Sequence, residues 1–292
     1  MNTIQLVVFD IAGTTVQDRG SVADAFLAAF REFGFTIPEE EVKRVMGFRK
    51  IDAVRQLLDK FAPMQGGKEG GGASGRGFVQ EAGEQGQSDK PAPRRRVGKA
   101  RSNGTLPDGH TEEEGSAIGE EPLPDPELDR EMLIDRIHTR FIDNMISFYR
   151  NDEQLAPFPH AEKVFSRLKK LGIKVALNTG FTRAIADTIL HRLRWDDRFD
   201  AIDLVICSDE VPHGRPHPDM IHTLARELGI SSPDHVLKVG DTEVDVEEGR
   251  NAGCGIVVSV TTGAYTRAQL EQYHPDYIID DLQDILPIIE KS

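Results

Sequence analysis

The chain contains six short runs of almost uninterrupted apolar residues, separated by stretches with the spacing of amphipathic helices. The runs lie at 4–9, 173–177, 204–207, 236–239, 256–260 and 277–279. A strand that is apolar on both sides suits a parallel sheet with helices on both faces. The helical stretches between the later runs lie at 162–171, 183–193, 218–228 and 244–252. Strands that alternate with helices predict an α/β fold, a doubly wound parallel sheet.

One part of the chain breaks this alternation. After the first run, helical stretches follow one another without a strand, at 21–33, 39–45, 50–61 and 131–149. In the first of them Phe26, Leu27, Phe30 and Phe33 share an amphipathic face. Helices of this kind predict a helical cap domain at 18–155, inserted into a core made of 1–17 and 156–292.

Within the predicted cap, residues 65–121 have a different composition. They are rich in Gly, Glu, Ser and Pro, and their few large apolar residues are Phe78, Val79, Val97, Leu106 and Ile118. Such a segment buries too little surface to offset its chain entropy, which predicts disorder. Its basic run at 94–101 is either a localisation signal, an anionic docking patch or a solvated stretch of loop.

Composition narrows the kinds of partner. A net charge of −14 argues against nucleic acid, whose phosphates attract basic surfaces. No apolar run approaches the roughly 20 residues that span a bilayer, and the first residues do not resemble a signal peptide. The two cysteines, Cys207 and Cys254, cannot form a disulfide framework. We therefore expect a cytoplasmic protein without a membrane partner, in which a local pocket or a metal can still attract a small anion.

The first candidate site follows the opening apolar run. Asp10 stands where this strand would end, at the edge where open α/β sheets bind ligands. Gly13 lets the backbone turn tightly, so that free backbone N–H groups there can hold an anion. An aspartate in such a place can attack phosphorus and form an acyl phosphate. The alternative is an aspartate that only starts a turn.

Two further strand ends carry phosphate-binding residue types. Thr179 and Gly180 pair a hydroxyl with a glycine amide, which suits a phosphate, although Thr179 or Thr182 could simply cap the next helix. Arg215 is fixed between a glycine and a proline, where it could neutralise charge that develops on a phosphoryl group. The alternative is a surface arginine in a rigid loop.

The fourth candidate site follows the run at 236–239. Asp241 and Asp245 are four residues apart, at a strand end and in the first turn of a helix, so both can face one crevice. Carboxylates of this kind suit Mg²⁺, which needs few of them and keeps several waters. Alternatively, Asp241 caps the helix while Asp245 or Glu243 complements its dipole.

In this combination and order, the four motifs resemble those of the haloacid-dehalogenase-like superfamily of phosphotransferases. The resemblance spans the chain outside the insert and implies a Rossmann-like core with an aspartyl-phosphate on Asp10. It implies a magnesium ion held by Asp10, the Ala12 carbonyl and Asp241, with Asp245 orienting a metal-bound water or supporting Arg215. The implied groups around the phosphoryl are Gly13, Thr14, Thr179, Gly180 and Arg215.

Two residues point to one group within the superfamily. The phosphatases of this superfamily usually carry an acidic residue two positions after the nucleophile, where this chain has Ala12. Lys50 follows a Met-Gly pair at the start of a cap helix, a segment that resembles that of the phosphonatases, whose lysine forms an imine with an aldehyde substrate. The chain departs from the phosphonatase pattern at Ala53, Phe181 and Ser21, where that resemblance leads one to expect histidine, tyrosine and cysteine. The stretch 176–183 is more similar to the phosphonatase-like hydrolases, a sister group, and the chain is identified as a member of that group. Lys50 could instead be solvated or attract a phosphate.

Three functions therefore remain open. The first is C–P bond hydrolysis of phosphonoacetaldehyde-like substrates through a Lys50 imine, and the second is hydrolysis of a phosphate monoester such as phosphoglycolate or a sugar phosphate. The third is a non-catalytic binding protein that uses the insert at 65–121. The first two imply a small phosphonate or phosphorylated substrate, and the apolar face of 26–33 could pair two chains into a homodimer.

Overall fold

The computed structural model describes residues 4–62, 126–196 and 199–291. Six strands in these ranges form one parallel sheet, in the order β3-β2-β1-β4-β5-β6. The strands are β1 Leu6–Asp10, β2 Lys174–Thr179, β3 Leu204–Cys207, β4 Val236–Gly240, β5 Ile256–Val260 and β6 Tyr277–Ile279. Each lies within two residues of its predicted apolar run, which confirms the α/β fold class. The predicted disordered insert at 65–121 lies outside the described residues.

Helices cover both faces of the sheet because the central strands are apolar on both sides. In the second part of the chain they are α5 Ala161–Lys170, α6 Arg183–Leu193, α7 Asp219–Glu227, α8 Glu243–Asn251, α9 Arg267–Leu270 and α10 Ile285–Lys291. Val7 and Phe9 of β1 belong to a cluster with α5 and α6, whereas Leu6 and Val8 belong to one with α7 and α8. The short helices α9 and α10 were not predicted.

The predicted cap region contains four helices and, among its described residues, no strand. They are α1 Ser21–Glu32, α2 Glu39–Arg44, α3 Lys50–Phe61 and α4 Pro126–Asn151. α4 packs on α1 and α3 and also on α6 beside the sheet. The helices are as predicted, except that α4 begins five residues earlier. Domain boundaries at 17/18 and 155/156 stay predictions.

The apolar face of α1 is covered within the chain itself. Phe26 and Phe30 are fully buried, and the Phe26 ring stacks on Phe141 of α4 with ring centroids 4.2 Å apart. These two side chains are therefore not available to form a contact between two chains. The apolar face of α1 no longer supports the predicted homodimer, which stays a prediction.

Strand register decides where the site forms. β1 pairs with β2 so that Asp10 lies opposite Asn178, and with β4 so that Phe9 lies opposite Val239. The carboxyl ends of β1, β2 and β4 therefore meet at one edge of the sheet. None of the helices in the described ranges combines the length and the apolar character needed to cross a bilayer.

Candidate active site

A cavity of about 230 Å³ opens at this edge, between the sheet and the helices α1–α3. Of the residues predicted for the site, those that line the cavity are Asp10, Ala12, Gly13, Lys50, Thr179, Gly180, Arg215, Asp241 and Asp245. Thr14 does not line it and instead donates a hydrogen bond to Asp241. Residues that are up to 235 positions apart in sequence are thus brought to one place.

Asp10 ends β1 and is only 5% exposed. Its Oδ1 accepts a hydrogen bond of 2.7 Å from Nη1 of Arg215, and its backbone carbonyl accepts one of 2.9 Å from the Thr15 hydroxyl. Burial raises the pKa of Asp10 above its ordinary value, although the charge of Arg215 opposes this. The carboxylate therefore depends on nearby positive charge to stay ionised.

Arg215 is 3% exposed, and its guanidinium donates four hydrogen bonds within the protein. Nε donates to Glu248 at 3.0 Å, and Nη2 donates to the side-chain and backbone oxygens of Asn178 at 2.7 and 2.9 Å. Nη1 contacts Asp10 at 2.7 Å and Asp245 at 3.0 Å. The surrounding carboxylates raise the pKa of Arg215 in spite of its burial. In this arrangement Arg215 holds Asp10, and its contact with a phosphoryl group stays a prediction.

Behind Arg215 lies a layer of buried polar residues that the sequence analysis missed. Lys238 has no exposed surface, and its Nζ donates to Asn178 Oδ1 at 2.7 Å and lies 3.2 Å from Glu248. Asn178 in turn donates to both carboxylate oxygens of Glu248, at 2.8 and 2.9 Å. The sequence did contain a signal for this layer. Lys238 lies inside the otherwise apolar run of β4, and a buried cation needs buried acceptors.

Asp241 sits directly beside the turn that follows β1. Its Oδ1 accepts from the Thr14 hydroxyl at 3.0 Å and its Oδ2 from the Ala264 N–H at 2.8 Å. Gly13 has φ +90°, and a Cβ there would lie 2.6 Å from Asp241 Oδ2, so this contact needs glycine. Burial, and then the charge of Asp10, raise the pKa of Asp241 well above its ordinary value.

These features fit a magnesium ion. Asp10 and Asp241 are buried carboxylates that repel one another, and the Ala12 backbone lines the same cavity. In the described ranges, no three His, Cys, Asp or Glu side chains are grouped to hold a metal by themselves. Two carboxylates, one carbonyl and water are the donor set that Mg²⁺ accepts and that thiophilic metals do not.

Asp245 is engaged differently from the other two carboxylates. Its Oδ2 accepts from the Thr242 hydroxyl at 2.6 Å, and its Oδ1 lies 3.0 Å from both Arg215 and Lys238. These cations lower the pKa of Asp245 to about 2 in spite of its burial. Of its two implied roles, orienting a metal-bound water and supporting Arg215, these contacts favour the support of Arg215.

Lys50, the first residue of α3, is the other buried cation of the cavity. It is 5% exposed, and its Nζ lies 5.3 Å and 5.9 Å from the ring centroids of Phe181 and Phe26. Among the described residues, no carboxylate lies within 4.0 Å of this ammonium. Burial lowers the pKa of Lys50 to about 8, although Asp10 opposes the shift. Part of the lysine is therefore a neutral, nucleophilic amine near neutral pH.

The loop between α2 and α3 carries Lys50 into the cavity. A Cβ at Gly180 would lie 2.5 Å from the backbone oxygen of Phe48, so the loop rests directly on the turn after β2. Arg49 adds a hydrogen bond of 3.1 Å to the carbonyl of Pro212. In the same turn, the Thr179 oxygen accepts from the Phe181 N–H at 3.1 Å, which orients the hydroxyl at the cavity wall.

Comparison with known proteins agrees with this geometry. The family described as haloacid dehalogenase-like hydrolase matches residues 4–253. A phosphonoacetaldehyde hydrolase of Bacillus cereus is 28% identical over 277 residues, which cover 93% of this chain and 83% of that protein.

Solved structures share the fold. A hydrolase from Pseudomonas syringae aligns with a TM-score of 0.67 and 16% identity, covering 98% of both chains. A phosphonoacetaldehyde hydrolase like protein from Oleispira antarctica aligns with a TM-score of 0.65 and 18% identity, covering 99% of this chain and 92% of the other. The family match extends from β1 through α8 and so includes all of the site motifs. The chain therefore belongs to the haloacid dehalogenase-like hydrolases.

Proposed function

We propose that this hydrolase cleaves the C–P bond of a small 2-oxoalkylphosphonate of the phosphonoacetaldehyde type. The observation that carries the proposal is Lys50, a buried lysine with a pKa of about 8 in the same cavity as Asp10. A solvated helix lysine would keep an ordinary pKa. A lysine in an apolar pocket is a suitable nucleophile for a carbonyl carbon.

The amine of Lys50 attacks the carbonyl carbon of the substrate, and loss of water gives an iminium. Asp10 then attacks phosphorus, and the electron pair of the C–P bond moves into the iminium to form an enamine. Because the leaving carbon departs as an enamine, no acid is needed two residues after Asp10, where the chain has Ala12. Water hydrolyses the aspartyl-phosphate, and protonation and hydrolysis of the enamine return Lys50 and release the aldehyde.

Asp10, the Ala12 carbonyl and Asp241 would hold Mg²⁺, which when bound reduces the repulsion between the carboxylate and the anionic phosphoryl group. Arg215 keeps the carboxylate of Asp10 ionised and fixes its rotamer through the 2.7 Å hydrogen bond. The Thr179 hydroxyl and the backbone at Gly13 and Gly180 are the proposed phosphoryl contacts, because they line the cavity beside Asp10.

The test is borohydride reduction in the presence of phosphonoacetaldehyde labelled in its carbon chain. We expect one substrate carbon fragment on Lys50, located by peptide mass spectrometry, and no incorporation in Lys50→Arg. Turnover of the phosphonate by Lys50→Arg at the parent rate would contradict the proposal.

The competing function is hydrolysis of phosphate monoesters, with water or substrate supplying the proton that Ala12 cannot give. A panel of phosphoglycolate and sugar phosphates, assayed beside the phosphonate, separates the two. Asp10→Asn should abolish both activities, because both use the same nucleophile. Activity on esters alone would support the competing function.

A further inference from the structure

Asp18 is the one carboxylate lining the cavity, among the residues that the structure describes, that the proposed chemistry leaves without a role. The other three are Asp10, Asp241 and Asp245. Asp18 lies between β1 and α1, on the same side of the cavity as the helix that begins at Ser21. Lys50 lines the same cavity, and the charge of Asp18 acts to raise the pKa of Lys50.

One oxygen of Asp18 is anchored. Its Oδ1 accepts hydrogen bonds from the Gly20 N–H at 3.1 Å, the Ser21 N–H at 2.9 Å and the Ser21 hydroxyl at 2.7 Å. Within the described part of the chain, no donor hydrogen-bonds to Oδ2. The carboxylate is therefore fixed in place while one of its oxygens remains able to accept a proton.

The charges of three carboxylates act on Lys50, and two of them, Asp10 and Asp241, are the proposed nucleophile and a proposed metal ligand, which leaves Asp18. The rings of Phe26 and Phe181, whose centroids lie 5.9 and 5.3 Å from Lys50 Nζ, do not accept a proton. Ala53, one helical turn after Lys50, carries no polar atom in its side chain. An amine cannot become an iminium without several proton transfers, so a titratable group must reach the reacting nitrogen and oxygen.

We propose that Asp18 is the acid–base residue that forms the imine on Lys50, an inference that rests on the proposed function. Because no carboxylate of the described residues lies within 4.0 Å of the Lys50 ammonium, Asp18 first takes a proton from it through one intervening water, and the neutral amine attacks the carbonyl carbon. Asp18 gives that proton to the resulting oxyanion, takes a second one from nitrogen, and gives it to the hydroxyl as water leaves. The sum is one ammonium and one carbonyl converted to one iminium and one water, with Asp18 again a carboxylate.

The alternative role for Asp18 is structural, since its Oδ1 contacts stabilise the start of α1. Asp18→Asn separates the two roles. The amide oxygen of asparagine can accept the same three hydrogen bonds as Oδ1, but its NH₂ group cannot accept a proton. Asp24→Asn, an exposed position in the first turn of α1, removes the same charge as a matched control.

The experiment measures the rate of borohydride trapping with phosphonoacetaldehyde in the parent, Asp18→Asn, Asp24→Asn and Lys50→Arg. We expect trapping to slow by about 100-fold in Asp18→Asn, as is usual for the loss of an acid–base group, with Tm unchanged. Asp24→Asn should trap at the parent rate. In Asp18→Ala, added formate should restore part of the lost rate, which a structural role for Asp18 does not predict.

Parent-like trapping in Asp18→Asn, together with none in Lys50→Arg, would overturn the role of Asp18 and leave the proposed function intact. No trapping in the parent enzyme would overturn both. A loss of trapping that follows a fall in Tm, and that formate does not reverse, would identify Asp18 as a structural residue only.

Discussion

Glu248 holds two cations at a position from which water is excluded. It accepts from Arg215 Nε at 3.0 Å, lies 3.2 Å from Lys238 Nζ and has no exposed surface. Removing one partner of a buried ion pair costs about 3 kcal/mol, which for a domain of this size lowers Tm by about 10 °C. We therefore expect Glu248→Gln to lower Tm by about this amount. Because Arg215 would also hold Asp10 less firmly, kcat should fall about 10-fold at an unchanged KM.

Thermal unfolding and steady-state kinetics check this prediction, with Glu247→Gln as the control. Glu247 is the preceding residue of α8, is exposed and loses the same charge. It should change neither Tm nor kcat. Equal effects of the two substitutions would mean that the net charge of α8, and not the contact with Arg215, is what matters.

The titration of Lys50 gives a second prediction at the scale of one residue. Only the neutral amine attacks a carbonyl, and burial lowers the pKa of Lys50 to about 8. The rate of imine trapping should therefore rise between pH 6 and pH 8 and level off above pH 8. Single-turnover trapping across this range measures it, and a rate still rising at pH 10 would show that Lys50 titrates like a solvated lysine.

Contacts between elements bring Lys50 to the sheet. A Cβ at Gly180 would lie 2.5 Å from the backbone oxygen of Phe48, so Gly180→Ala must push away the loop that ends at Lys50. We expect imine trapping and kcat to fall by about 10-fold or more, since a displacement of about 1 Å can cost 100-fold. The matched control is Gly255→Ala, whose Cβ would lie 2.0 Å from the Asp234 backbone oxygen, between α8 and β5.

Both glycine substitutions should lower Tm, because each forces a backbone oxygen to move. Only Gly180→Ala should slow the trapping of the substrate by Lys50. If Gly255→Ala slowed trapping equally, the effect would come from lost stability and not from displacement of the loop between α2 and α3.

The elements themselves could be predicted from periodicity, and with them the strand ends that carry Asp10, Thr179 and Asp241. Contacts made only by tertiary packing could not. The Ala264 N–H reaches Asp241 from a loop after β5 that carries no motif, and Asn178 occupies a strand end where its partners, Lys238 and Glu248, are distant in sequence. A buried polar residue is recognisable from its neighbours in sequence, whereas the identity of its partner depends on the order of the strands.

At the scale of the whole molecule, the described residues that line the cavity lie at 10–50 and 179–264. The helices on either side of the insert, α3 and α4, contact each other directly. Arg130 of α4 donates to the carbonyl of Ala62 at 2.9 Å and pairs with Asp59 of α3 at 2.6 Å. A short Gly-Ser linker in place of 65–121 therefore connects two helices, α3 and α4, that contact each other through Arg130.

We therefore expect this deletion to retain the parent kcat and KM for the phosphonate and to leave Tm within a few degrees, because loop length has a small effect on stability. Kinetics and thermal unfolding of the deletion variant measure both. A variant that unfolds at the parent temperature but has lost turnover would show that the insert takes part in catalysis. The alternative that the basic run at 94–101 is a docking patch requires full turnover together with the loss of a binding partner. One variant thus separates hydrolysis from a docking role of the insert.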